Sequence, residues 1–111
     1  MEYCTDLKNA LTKVSKTALR KKKDTLAKTY HSYLRVLENE KNPDYYIRAL
    51  SRKLIANEDA YKERMENYRK KYYDNDIYNS LEDLYKIYYE IAKEENKERS
   101  EEEVERMFNE L

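Results

Sequence analysis

Glycine is absent from this chain of 111 residues, and with it go the residues that usually build hairpin turns, left-handed helix C-caps and phosphate-cradling loops. Proline occurs once, at Pro43, so little interrupts a regular backbone. The single cysteine, Cys4, excludes an internal disulfide; it lies within an apolar pattern, and a small buried thiol in a reducing compartment is expected. The longest apolar runs, such as Leu54-Ile55-Ala56, are far too short for a signal-peptide core or a membrane span. A cytoplasmic protein with no membrane partner is the resulting expectation.

Histidine is nearly as scarce. His31 has Asp24 seven residues before it and Glu38 seven residues after it, a separation of about 10.5 Å along a helix, too far for one ion to bridge. No Glu-x-x-His pair occurs, so the carboxylate-bundle di-iron chemistry lacks its ligands. Cys4 and His31 are remote from each other in sequence, which leaves no evident nucleophile and base. The sequence therefore predicts no catalytic residue, no metal site and no cofactor.

What the chain does have is tyrosine and helical periodicity. Leucine, isoleucine, valine and phenylalanine together number 20, while tyrosines number 13, so tyrosine must supply much of any core. A buried tyrosine hides a large ring while its hydroxyl seeks a partner, which predicts hydroxyls at the edges of a thin bundle. Cys4, Leu7, Leu11, Val14 and Ala18 form one helical stripe, and Leu26, Tyr30, Tyr33 and Leu37 form another about a quarter-turn away. Either one long helix changes partners between them, or it breaks near Arg20-Lys21-Lys22-Lys23, with Asp24 capping the next segment.

Asn42-Pro43-Asp44 combines an N-cap, a residue pre-set for the first helical position and a charge that answers the helix dipole, so a helix starts at Pro43. Ile47, Leu50, Leu54, Tyr61, Met65, Tyr68 and Tyr72 then keep one phase, which predicts a continuous helix to about Tyr73 despite the capping chemistry of Asn57-Glu58-Asp59. After Asp74-Asn75-Asp76, the residues Ile77, Leu81, Leu84, Tyr88 and Ile91 restart the pattern. Val104, Met107, Phe108 and Leu111 fall out of that phase behind the capping box Ser100-Glu101-Glu102-Glu103, which predicts a short separate terminal helix. The expected fold is a single all-α domain over residues 1–111. It is an antiparallel, coiled-coil-like bundle of three long helices, the first broken or not near residues 20–24, plus a short C-terminal helix. Apolar seams of this kind also serve self-association, and a homo-oligomer is compatible with them.

Charge is segregated along the chain although its net value is zero. Residues 1–37 carry nine basic and three acidic side chains, residues 38–73 nine and seven, and residues 74–111 five and thirteen. On the first helix Lys13, Lys16, Arg20 and Lys23 lie opposite the Leu7, Leu11 and Val14 face, a geometry that nucleic-acid phosphates could use. No aromatic residue interleaves that stripe, and a solvated helix back accounts for it as well. In the doublets Tyr45-Tyr46, Tyr72-Tyr73 and Tyr88-Tyr89 one ring points nearer the core, which leaves Tyr45, Tyr73 and Tyr89 as candidate protein contacts. The leading expectation is a non-enzymatic protein-interaction module: an adaptor, a self-associating subunit or an inhibitor of a larger partner. Nucleic-acid binding through the basic stripe is the alternative, and an enzyme ranks last.

Overall fold

A computed structural model describes residues 2–110, and among them it has five helices and no strand: α1 (Glu2–Arg20), α2 (Asp24–Asn39), α3 (Pro43–Leu54), α4 (Glu58–Lys71) and α5 (Asn75–Glu110). The all-helical expectation holds, but five helices replace three long ones and a short one. One apolar cluster draws on all five helices.

The first stripe forms as its periodicity predicts, with Leu7, Leu11, Val14 and Ala18 buried and Cys4 half-buried at its edge. The helix then breaks, which settles the alternative left open at residues 20–24. Lys22 takes φ 60°, and two hydrogen bonds close the end of α1: Lys22 N–H to the Leu19 carbonyl at 3.0 Å and Lys23 N–H to the Ala18 carbonyl at 2.8 Å. This is a Schellman motif with lysine in the position that glycine normally takes. Asp24 does not cap α2 as expected. Lys23 is the N-cap, and Asp24 is already helical, where its charge answers the dipole. The two helices fold back as a hairpin, tied by Ser15 Oγ donating to the Ala27 carbonyl at 3.1 Å.

Pro43 starts α3 as predicted, with Asn42 Oδ1 accepting from the Tyr45 N–H at 3.2 Å. The predicted continuity to Tyr73 fails. The helix stops at Leu54, Ile55 swings into the core, and Asn57 Oδ1 accepts from the Ala60 N–H at 2.8 Å to open α4. Phase could not reveal this break because residues 55–57 span close to one helical turn, so the apolar stripe resumes in register on the far side. Local capping chemistry decided the outcome.

The opposite correction applies downstream. α5 runs unbroken from Asn75 to Glu110, so the predicted separate terminal helix is absent; Leu111, assigned to it, lies outside the described residues. A capping box acts only where the chain has already left the helix, and extending an existing helix carries no new nucleation cost. Asp74 caps the start, with its Oδ1 accepting from the Asp76 and Ile77 N–H groups at 2.9 and 3.2 Å.

α5 is the axis of the bundle. Along it, Lys21 pairs with Asp74 and Asp76, Lys13 with Asp83, and the Tyr3 hydroxyl donates to Glu94, so α1 runs opposite to α5. The contacts of Tyr61 with Tyr89 and Arg69 with Tyr78 show that α4 also runs against it, and Arg48 of α3 reaches Glu95 near its far end. Glu95 continues the core stripe of α5 but is charged; 15% exposed, it binds Arg48 at 2.9 Å and Arg52 at 3.7 Å and closes that end of the core. Lys22→Gly should raise stability by about 1 kcal/mol, because it removes the cost of a β-carbon in the left-handed region. Urea unfolding checks this, with Lys22→Ala as the control that leaves stability nearly unchanged.

Candidate functional site

Beyond Glu98 no other helix accompanies α5, and residues 100–110 are all exposed. This overhang, residues 99–110, extends about 18 Å at the helical rise. Its apolar residues Val104, Met107 and Phe108 are 57%, 67% and 74% exposed. At 100° per residue they centre on the side of α5 opposite to Ile77, Leu81, Leu84, Tyr88 and Ile91, so the bundle that buries the core stripe faces away from them. Residues 100–110 carry five glutamates and one arginine.

The basic stripe is divided by the break after Arg20. Lys13 forms an ion pair with Asp83 at 3.2 Å, Lys16 and Arg20 remain exposed on α1, and Lys23 moves to the α1–α2 turn, where it borders a cleft. Of the tyrosine candidates, Tyr45 and Tyr73 are 68% and 91% exposed. Tyr89 is half-buried, its ring stacked on Tyr61 at 4.5 Å between centroids. The three do not form one patch. Tyr45 lies in the first turn of α3, whose Arg48 reaches Glu95 and Glu98, whereas Tyr73 precedes α5, a separation of about 30 Å along that helix. His31 is exposed, and no group of three potential metal ligands is found among the described residues.

Sequence reasoning missed the cleft. It has a volume of about 770 Å³ and opens between α2 on one side and α3 and α4 on the other, with Tyr85 and Tyr88 of α5 as its floor. No Cα of α2 comes within 8 Å of one in α4, so only side chains span the gap. Tyr30 Oη lies 2.9 Å from Tyr85 Oη, and Tyr68 Oη donates to Tyr85 Oη at 3.0 Å. Arg64 donates from Nη1 to Tyr68 Oη at 3.3 Å and from Nη2 to the Leu54 carbonyl at 3.2 Å, with its guanidinium carbon 5.4 Å from the centre of the Tyr85 ring. The hydroxyls of Tyr30 and Tyr85 are thus not at the bundle edge as expected; they satisfy each other inside it. The legible signal was the placement of Tyr30 and Tyr68 at core phase together with the Arg64/Tyr68 spacing of four residues.

The arrangement separates the acidities of these phenols. Burial pushes Tyr30, Tyr85 and Tyr88 well above the ordinary value of 10, and for Tyr30 the neighbouring Tyr85 adds to it. Burial also acts on Tyr68, but hydrogen bonds that Tyr85 and Arg64 offer to its phenolate outweigh it and bring the pKa below 10. When Tyr68 loses its proton it becomes the acceptor from Tyr85, reversing the donor order of the neutral cluster.

No protein-family model, curated protein or solved structure matches the chain. Among the described residues no helix is long and apolar enough to cross a membrane.

The acidities set an alkaline limit on the fold. Groups whose folded pKa lies above the unfolded value of 10 contribute stability that is present below pH 10 and lost as pH rises beyond it. An ultraviolet phenolate titration compared with that of Tyr68→Phe should place Tyr68 below pH 10, while ionisation of Tyr30, Tyr85 and Tyr88, identified by the matching Phe variants, should come above pH 10 and coincide with loss of helical ellipticity. Ionisation of Tyr30, Tyr85 and Tyr88 together with Tyr68 while the helix stays intact would contradict this assignment.

Proposed function

We propose that this chain is a non-enzymatic protein-interaction module whose contact element is the overhanging end of α5. The observation that carries the reading is the stripe Val104, Met107 and Phe108, exposed on the side of the helix that its own bundle cannot reach. Amphipathic helices of this kind dock by laying spaced apolar anchors into a groove. The surrounding glutamates select a groove rimmed by lysine or arginine, and charge complementarity of that sort orients the encounter. Adaptor, self-associating subunit and inhibitor of a larger partner all use such a projecting element.

The double variant Val104→Asp, Phe108→Asp should leave thermal stability within about 0.5 kcal/mol, since neither side chain is in the core. It should also abolish the complex that the intact chain forms with itself or with its cellular partner, read by light scattering after size exclusion and by photo-crosslinking from position 104. A marked loss of stability, or a complex that survives the variant, overturns the reading.

The alternative, nucleic-acid binding, is favoured by one observation: Lys16, Arg20, Lys22 and Lys23 cluster about the end of α1 without an ion pair to any described residue. Under that reading labelled single-stranded or duplex probes bind with an affinity that falls steeply with salt and is lost when Lys13, Lys16, Arg20 and Lys23 are reversed in charge. Absence of binding at low salt excludes it.

A further inference from the structure

The cleft beneath α2 holds more positive charge than its surroundings neutralise. Lys22 and Lys23 from the α1–α2 turn, Lys53 of α3, and Arg64 and Lys71 of α4 border it, against the single carboxylate of Asp24. None of the five cations forms an ion pair with a described residue. Six other cations do find a carboxylate: Lys13, Lys21, Arg48, Arg52, Lys62 and Lys70. On α4, Lys62 and Lys70 each have a glutamate four residues earlier, Glu58 and Glu66, and pair with it at 3.4 and 3.2 Å. Lys21, beside Lys22, holds both Asp74 and Asp76.

Arg64 is the sharpest case. The helix neighbours three and four residues from it are Ala60, Tyr61, Asn67 and Tyr68, none of them acidic. Its guanidinium is half-buried and fixed by neutral groups alone: the Leu54 carbonyl, the Tyr68 hydroxyl and the face of the Tyr85 ring. Those contacts orient the fork and leave its charge uncompensated, with further N–H donors still to satisfy. A half-buried cation held this way gains most from an anion that brings its own apolar body, since water is then displaced as the charge is met.

The remaining walls are aromatic. Seven of the 13 tyrosines border the cleft, with Leu26, Leu50 and Leu54 between them. A volume of about 770 Å³ lies within the range of pockets that enclose small organic ligands. From these features we infer that the cleft is a binding site for a small molecule that joins a flat ring system to a phosphate or carboxylate group, the anion at Arg64 and the rim lysines and the ring against the tyrosines.

Isothermal titration calorimetry of the full chain tests this with two ring anions, adenosine monophosphate and 1-naphthoate, and with adenosine and inorganic phosphate as the separated halves. At least one ring anion should bind with Kd below about 100 μM at low salt, and each half of the nucleotide at least about tenfold more weakly than the whole if the phosphate is preferred. A preference for naphthoate identifies the carboxylate class instead. Lys53→Glu combined with Lys71→Glu, two exposed positions, should keep the thermal midpoint and weaken binding by about tenfold or more, and Arg64→Met should do the same wherever its ellipticity is retained. Failure of both ring anions to bind at millimolar concentration, unchanged affinity in the lysine variant, or phosphate alone binding as tightly as the nucleotide would overturn the inference.

Discussion

Burial of one face of α5 is the constraint on which everything else rests. Ile77, Leu81, Leu84, Tyr88 and Ile91 are all but inaccessible to solvent, and α1, α3 and α4 each meet this helix directly. The backbone of α2 stands farther off: it packs on α1 and α3 and reaches α5 through side chains, Tyr30 to Tyr85 among them. With so few aliphatic side chains in the sequence, the removal of this stripe from water, together with the faces of the shorter helices that cover it, supplies the hydrophobic stabilisation. The wider backbone separation of α2 from α4 and α5 also explains why the cleft lies beneath it.

Much of this was legible in the residues. The stripes of α1 and α5 and the start at Pro43 could be read because each depends on short-range spacing or on a cap with few alternatives. The break at residues 55–57 was hidden by an accident of geometry, since a gap of nearly one turn conserves phase even as the axis bends. The continuity through Ser100 was hidden for the opposite reason: a phase change at Val104 looked like a new element, when the same helix had merely run out of bundle and turned its apolar side elsewhere. The cleft was illegible because it depends on which helices fail to touch. Spacing along one chain says which residues share a face, but not that α2 and α4 stand apart.

Tyrosine in place of leucine or phenylalanine shapes the interior chemistry. Each ring supplies apolar area, but each buried hydroxyl requires a partner, and Tyr30, Tyr68 and Tyr85 from three different helices answer one another. Such a network fixes relative helix positions more narrowly than interchangeable methyl groups do, because a small slide breaks hydrogen bonds in a medium that offers few substitutes.

The unbroken course of α5 has a mechanical meaning. One stiff rod carries the exposed tip at Val104 to Phe108, the ionic clamp at Glu95 and the cleft floor at Tyr85 and Tyr88, with no hinge residue along the way. Val104 stands about 24 Å from Tyr88 along the axis. The tip, the Arg48 and Arg52 bridges and the tyrosine floor thus share one continuous backbone, and their spacing is set by the helical rise alone.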